Sequence, residues 1–327
     1  MTSTTPPSIA AHVESLIPHF RLTRLLKQDQ ASRRISLLGT ISSQPTILLI
    51  ERAALPNTTA DLTTLTTSLT NIKNLGANDI YAWFLANTTP TPSLPDLKLN
   101  LIHPCTPSHI KKYEAQRLRV VTETPEIYRD YVRPLMARKR GQGALDWIYN
   151  ILDGRTEQED VIYREDDAQT GFLLLPDLNW DRKTVAGLHL LGIVVRRDVW
   201  SVRDLGRDMA GWLKDMREKM VEATVKLWPE MERDQVKMYV HYQPTYYHFH
   251  IHIVHVDLEA GSTQATGKAL GLENIISQLE TMRSDPDAPA GTEPSMADVS
   301  LTYHLGEQSE LWEKIYLPLK EGRAVEI

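Results

Sequence analysis

The feature that most constrains this chain is a ten-residue stretch, YYHFHIHIVH (246–255), in which histidines alternate with apolar residues. The stretch holds four of the chain's eleven histidines, and a fifth, His241, lies just upstream in HYQPT. Alternation predicts a half-buried β-strand, because successive side chains of a strand point to opposite faces. We therefore expect His248, His250 and His252 to share one face. The other face should pack into a core through Tyr247, Phe249, Ile251 and Ile253.

Three interpretations of this histidine face compete. A solvated polar face is the simplest, but three alternating histidines are an unusual way to build one. A metal site is limited by geometry, since His248 and His252 lie ~13 Å apart along a strand and cannot share one ion. A neutral imidazole is, however, a competent nucleophile toward phosphorus, and a row of about 13 Å suits a polyphosphate chain. The pattern favours phosphate chemistry, with the metal site left open.

The composition limits which compartments and binding partners the sequence predicts for this protein. The chain has 327 residues, of which 42% are hydrophobic and 24% charged, and no apolar run approaches the length of a membrane span. Its single cysteine, Cys105, excludes an intramolecular disulfide and fits a reducing compartment. The start, MTSTTPPS, lacks the basic and apolar regions of a signal peptide, so we expect a cytoplasmic protein, with a nuclear share left open. A net charge of −6 argues against binding to long nucleic acid, and we expect no membrane partner.

Local patterns predict an α+β protein of two domains without an internal repeat. A smaller N-terminal domain is expected over residues 1–124 and a larger one, built on an antiparallel sheet with helices, over 144–327. The basic, glycine-containing ARKRGQG (137–143) and the prolines before it predict a hinge over 125–143.

Within these domains we expect specific elements. Apolar residues at three- and four-residue spacing predict a helix over 62–75, and a long helical stretch, broken at Pro125 and Pro134, is expected over 108–136. Another helix is predicted from Ser201, its candidate N-cap, to Pro229. Strands are predicted at 33–42, 45–53, 78–85, 97–104, 171–180 and 188–197, and in VKMYVHYQP, the histidine stretch and ADVSLTYHL.

Longer motifs in the chain resemble sequence signatures of known protein families. HFHIHIV (248–254) matches the histidine-triad signature of nucleotide hydrolases and transferases, which alternates histidine with apolar residues. Together with WIYNILDG (147–154) and LLPDLNW (174–180), the segment HYQPTYYHFHIHI resembles one branch of that superfamily, the scavenger mRNA decapping enzymes. The resemblance runs from about residue 78 to the C-terminus. It implies a histidine-triad-like C-terminal sheet and a domain-swapped homodimer whose N-terminal domains close over the substrate.

The same resemblance implies an activity. Family members hydrolyse the m7GpppN cap left after 3′-to-5′ mRNA decay, giving m7GMP and a nucleoside diphosphate without metal or cofactor. The central histidine, His250, would be the nucleophile and form a transient nucleotidyl-histidine. His248 and His252 would orient it or contact the phosphates, and His241 would contact the phosphate chain.

Other residues are assigned to substrate binding by the resemblance. Trp147 would stack on the cationic cap base and Glu157 would accept hydrogen bonds from it, although the residues alone also allow a core tryptophan and a solvated acid. The remaining positions are Asn78, Tyr81, Lys112, Pro176, Asp177, Leu178, Asn179, Thr245, Tyr246 and Lys268. Asn179 departs from the family pattern, which has a lysine there, so Lys112, Arg182 or Lys268 would have to supply the missing charge.

Alternatives remain open at this point. A dinucleoside polyphosphate hydrolase or nucleotidyl transferase would use the same triad. A non-catalytic cap-binding regulator of mRNA decay would keep the binding residues without turnover, and Asn179 is the feature that points that way. A metalloprotein is the third alternative.

Overall fold

The computed structural model describes residues 8–30, 33–53, 55–56, 58–91, 94–177, 180–284, 289 and 291–327. The chain divides into two compact units, residues 1–116 and 117–327. Among the described residues, no helix has both the length and the apolar character needed to cross a bilayer.

The N-terminal unit combines an antiparallel sheet, a separate hairpin and three helices. Its strands are β1 (Arg21–Asp29), β2 (Arg34–Ile41), β3 (Gln44–Arg52), β4 (Leu69–Asn78), β5 (Tyr81–Thr88) and β6 (Leu97–Ile102), and its helices are α1 (Ser8–Leu16), α2 (Thr59–Thr67) and α3 (Pro107–Tyr113). The sheet has the order β1-β2-β3-β6, and among the described residues β4 pairs with β5 alone. Leu26, Ile47 and Cys105 form its small core. The strands predicted at 33–42, 45–53 and 97–104 are confirmed, whereas β1 was not predicted.

The predicted helix over 62–75 is only half right. Helix α2 ends at Thr67, and the chain then runs into β4 of the hairpin. The register of β4 against β5 shifts between Thr70 and Lys73 and again between Asn74 and Gly76. Each shift adds residues between apolar positions, so the bulged strand imitates the spacing of a helix.

The C-terminal unit holds the larger sheet. Its strands are β7 (Leu118–Glu123), β8 (Tyr163–Glu165), β9 (Phe172–Pro176), β10 (His189–Val194), β11 (Val236–His241), β12 (His250–His255), β13 (Ala269–Gly271) and β14 (Leu301–Gly306). Its helices are α4 (Pro125–Ile127), α5 (Arg133–Gly141), α6 (Asp146–Leu152), α7 (Ala210–Leu227), α8 (Leu272–Thr281) and α9 (Leu317–Lys320). Six strands form one sheet in the order β13-β11-β12-β10-β9-β8, with antiparallel pairing throughout, and β7 pairs with β14. The predicted α+β class with an antiparallel C-terminal sheet is confirmed.

The two faces of the six-stranded sheet pack against different helices. One face packs against α7 and α8 in the main core, to which Ile251 and Ile253 of β12 and the preceding Phe249 contribute. Gly192 in β10 allows α7 to approach closely, since a Cβ there would lie 2.7 Å from the Met220 sulfur. The opposite face packs a smaller cluster under α6, including Ile148 and Ile193. His250 and His252 of β12 share this second face.

The structure divides the chain before the predicted domain boundary. Residues 118–123 form β7, which pairs with β14 inside the C-terminal unit, so the boundary lies at 116/117 and not at 124. The predicted hinge region, 125–143, is helical, and Tyr128, Val132 and Leu135 are buried in the main core. The prolines of this stretch lie at helix starts, and its role as a hinge stays a prediction.

Two other predicted helices are corrected. The stretch 108–136 contains most of α3, the strand β7, α4 and the start of α5, so the part before Pro125 is not the continuous helix that was predicted. The helix expected from Ser201 begins at Ala210, and Ser201 caps a short 3₁₀ turn, Val202–Asp204, that precedes it.

Candidate active site

Strand pairing brings the histidines together on the face beneath α6. His250 lies opposite Ile193 of β10, and His252 lies between Leu191 of β10 and Tyr239 of β11. His248, His250 and His252 are all at most 6% exposed. Because they alternate with residues of the main core, the predicted partition of this stretch between two faces is confirmed.

His250 has a defined tautomer. Its Nδ1 lies 2.8 Å from the His248 carbonyl oxygen, which can only accept a hydrogen bond, so Nδ1 carries the proton. The lone pair is therefore on Nε2. Burial lowers the pKa of His250 to about 4, which keeps the ring neutral at physiological pH. A neutral imidazole with its lone pair on Nε2 is the form that can attack phosphorus.

His248 and His241 are also held neutral. His248 Nε2 donates to the Val194 carbonyl oxygen at 2.8 Å, and His241 Nε2 donates to the Thr263 carbonyl oxygen at 2.8 Å. Burial lowers the pKa of each ring to about 4. His248 Nδ1 is buried and has no hydrogen-bond partner among the described residues.

His252 lies at the centre of a ring cluster. Tyr239 stacks on it with centroids 4.9 Å apart, and the His241 ring centroid is 4.1 Å away. Burial, reinforced by the neighbouring histidines, lowers the pKa of His252 far below its usual value. Its Nδ1 lies 3.0 Å from His189 Nε2.

The turn before β12 covers His250. The Tyr246 ring stacks on His250 with centroids 4.3 Å apart, and Trp147 of α6 meets Tyr246 edge-on at 5.0 Å. Trp147 is 45% exposed, which excludes the core-tryptophan interpretation and leaves much of the indole open to a ligand. Thr245 lies exposed in the same turn. Lys268 donates to the Gln243 carbonyl oxygen at 2.7 Å, which places a cation beside this turn.

The other predicted positions are distributed around this centre. Pro176 is the last residue of β9 and is buried, and Asp177 follows it. Glu157 is exposed, with a positive φ of 54°. Leu178 and Asn179 lie outside the described residues. Arg182, a candidate to replace the charge missing at 179, is paired with Asp160 at 2.6 Å.

Three predicted residues belong to the N-terminal unit. Asn78 and Tyr81 pair with each other at the closed end of the β4–β5 hairpin, where Tyr81 is 67% exposed. Lys112 lies in the last turn of α3. Their contribution to the histidine site stays a prediction.

One residue of the histidine face escaped the sequence analysis. His189 begins β10, is 6% exposed and bonds to His252. In the sequence, His189 is a single histidine before an apolar run. Only the pairing of β10 with β12 shows that it lies beside the triad. With Asp177 and His252 it forms the cluster, among the described residues, whose ligand atoms lie close enough for a metal, within 4.8 Å of one another. The two nitrogens that face each other, His189 Nε2 and His252 Nδ1, are already hydrogen-bonded to each other.

Comparison with known proteins agrees with this geometry. Residues 15–116 match the family described as scavenger mRNA decapping enzyme (DcpS) N-terminal, and residues 146–267 match scavenger mRNA decapping enzyme C-term binding. The first match ends where the structure places the unit boundary.

Curated relatives extend along most of the chain. A protein of Schizosaccharomyces pombe named m7GpppX diphosphatase is 36% identical over 309 residues, covering 94% of this chain and 97% of the relative. Proteins of the same name from Ascaris suum and Homo sapiens are 34% and 29% identical; each match covers 80% of this chain, and 85% and 77% of the respective relatives. The chain belongs to the scavenger mRNA decapping enzyme family.

Proposed function

We propose that this protein is an m7GpppX diphosphatase that hydrolyses residual m7GpppN caps to m7GMP and a nucleoside diphosphate. The observation that carries the proposal is the state of His250: neutral, with its Nδ1 proton fixed on the His248 carbonyl oxygen and its lone pair on Nε2. The similarity to relatives named m7GpppX diphosphatase supplies the substrate class.

In the first half of the reaction, His250 Nε2 attacks the phosphorus next to the methylguanosine. An Nε2–P bond forms as the bond from phosphorus to the bridging oxygen breaks, and the nucleoside diphosphate leaves with that oxygen. Water then attacks the same phosphorus: its oxygen stays on the phosphate of m7GMP, one of its protons passes to solvent, and the P–N bond breaks with its electron pair returning to Nε2, which restores the neutral ring. The Nδ1 hydrogen bond keeps the ring in one orientation through both steps.

Charge and shape around His250 suit a short cap. The Lys268 ammonium is placed at the turn that precedes the triad, where it can contact the phosphate chain. Trp147 offers an open aromatic face to the cationic 7-methylguanine, an interaction worth about 1–3 kcal/mol, with Glu157 and Asp177 as candidate acceptors for the base and ribose. The negative net charge of the chain is consistent with a substrate that carries few phosphates.

We further propose that the active form is a homodimer. The β4–β5 hairpin pairs with no other strand among the described residues, and an isolated two-stranded ribbon is marginally stable in water. It exposes a set of large apolar side chains, namely Ile72, Ile80, Trp83, Phe84 and Leu85, each more than half exposed. A second copy that buried this ribbon would remove the exposed apolar area from water, as in the domain-swapped arrangement that the sequence resemblance implies.

Substrate competition tests the proposed activity. Purified protein in EDTA is incubated with m7GpppG, with unmethylated GpppG or with Ap4A, and the products are identified by chromatography. We expect m7GMP and GDP as products, with m7GpppG the preferred substrate. Preferential cleavage of Ap4A would favour a dinucleoside polyphosphate hydrolase, and tight m7GpppG binding without cleavage would favour a cap-binding regulator.

The oligomeric state is tested separately by light scattering after size-exclusion chromatography. We expect a dimer for the wild-type chain and dissociation after Trp83→Ser combined with Phe84→Ser. A wild-type monomer would contradict the dimer proposal.

A further inference from the structure

A chain of three polar side chains runs behind the histidine triad. His252 Nδ1 and His189 Nε2 are 3.0 Å apart, and His189 Nδ1 is 3.7 Å from Asp177 Oδ1. The three residues come from β12, from β10 and from the end of β9, which are consecutive in the sheet. His189 and His252 are 6% and 5% exposed, so little water competes for their hydrogen bonds.

This geometry selects the proton positions. A lone pair on His189 Nδ1 would face the Asp177 carboxylate, whereas a proton there is attracted to it, so His189 carries its proton on Nδ1. His189 Nε2 then has a lone pair and accepts a hydrogen bond from His252 Nδ1–H. His252 is consequently left with a lone pair on Nε2. That atom is buried and has no hydrogen-bond partner among the described residues.

A buried polar atom without a partner is unfavourable and indicates a ligand. His252 Nε2 belongs to a ring 5.4 Å from His250 and 4.1 Å from His241, measured between centroids, so it lies within the proposed phosphate site. In this tautomer His252 can accept a proton or a hydrogen bond, but it cannot donate one from Nε2.

We infer that His189, backed by Asp177, is a positioning residue that locks His252 in the tautomer with its lone pair on Nε2. The inference deepens the proposed function and rests on it for its kinetic consequence. Losing His189 would let the His252 proton move to Nε2, where it could no longer accept a proton from the substrate or from water. Mispositioning an acid–base group of this kind lowers turnover on the order of 10-fold or more.

The test combines tautomers and kinetics on the full-length protein. In His189→Leu the acceptor is removed and the site stays apolar, whereas His189→Gln places an amide oxygen near the original Nε2. His255→Leu is a matched control: His255 is equally buried in β12 but has the same parity as the core-facing residues Ile251 and Ile253, and its Nδ1 accepts from the Asp257 backbone N–H. Long-range proton–nitrogen correlation spectra of nitrogen-15-histidine-labelled protein identify which nitrogen of each ring is protonated, independently of activity.

We expect His252 to be protonated on Nδ1 in the wild-type protein and on Nε2, at least in part, in His189→Leu. The kcat for m7GpppG should fall on the order of 10-fold or more with KM nearly unchanged, and His189→Gln should recover most of it, while His255→Leu keeps it. An unchanged His252 tautomer, an unchanged kcat, or an equal loss in His255→Leu would overturn the inference. If the wild-type protein cleaves no cap, the proposed function fails, and the spectra alone still decide the role of His189.

Discussion

Removing one partner of the fully buried ion pair between Glu123 and Arg203 should strongly destabilise the C-terminal unit. Arg203 Nη2 and Nε donate to Glu123 Oε1 at 2.8 and 3.0 Å, and both side chains are 0% exposed. The other carboxylate oxygen, Oε2, accepts from Gln243 at 2.8 Å and from the Tyr303 hydroxyl at 2.6 Å. The network therefore links the end of β7 to the turn that carries Tyr246.

Replacing Arg203 by methionine removes the cation and leaves a carboxylate buried without a counter-charge. Breaking one partner of a buried ion pair costs about 3–5 kcal/mol in the free energy of unfolding. For a unit of this size, each kcal/mol lost lowers the thermal unfolding midpoint by about 2–4 °C. Arg203→Met should therefore lower that midpoint by roughly 6–20 °C. Thermal unfolding of the full chain, followed by near-ultraviolet circular dichroism, measures this shift.

Two further variants make the test specific. Arg207→Met is the surface control, because Arg207 and Glu293 form a 2.9 Å pair that is 38% and 46% exposed, and such pairs contribute about 0–1 kcal/mol. Glu123→Gln combined with Arg203→Met leaves no unpaired charge, so the double variant should lose less stability than the sum of the single variants. Strict additivity, or a loss in Arg203→Met no larger than in Arg207→Met, would refute the reasoning.

Three other predictions concern the site. Trp147→Leu should raise the Kd for m7GpppG about 10- to 100-fold, with a smaller effect on unmethylated GpppG, in fluorescence or calorimetric titrations; equal losses would remove Trp147 as the cation receptor. Because burial lowers the pKa of His250 to about 4 while an unfolded histidine titrates near ~6.5, the unfolded state takes up protons first as pH falls. Stability should therefore decline between about pH 6.5 and 4, while kcat/KM should stay level from pH 8 to about 5 and fall near 4; a kcat/KM midpoint near 6.5 would contradict the burial argument. Asn179→Lys should raise kcat/KM for m7GpppG by restoring the cation of the family pattern, and an unchanged or lower value would contradict the expectation.

The shared face of the three histidines was predictable because it follows from a local pattern. Alternation over 247–253 sufficed to assign the histidines to one face, since a strand has a period of two residues. The aromatic and carboxylate positions came only with the resemblance of longer motifs. Trp147 illustrates the limit, because its half-exposed position on α6 follows from packing against the sheet and not from its neighbours in sequence.

The errors arose where local pattern and tertiary structure disagree. The bulges of β4 gave a strand the apolar spacing of a helix. β7 was assigned to a helix because its partner, β14, lies far away along the chain. His189 was missed for the same reason, since its neighbour His252 is brought to it only by the pairing of β10 with β12.

The central claim is that His250 Nε2 becomes covalently bound to phosphorus, and trapping that adduct tests it most directly. The protein is mixed with excess m7GpppG for milliseconds, quenched in alkali, which preserves a P–N bond, digested and analysed by mass spectrometry. We predict an m7GMP adduct on the peptide that contains His250, appearing before free m7GMP and absent in His250→Asn. Full cap turnover by His250→Asn, or an adduct on another residue, would contradict the account.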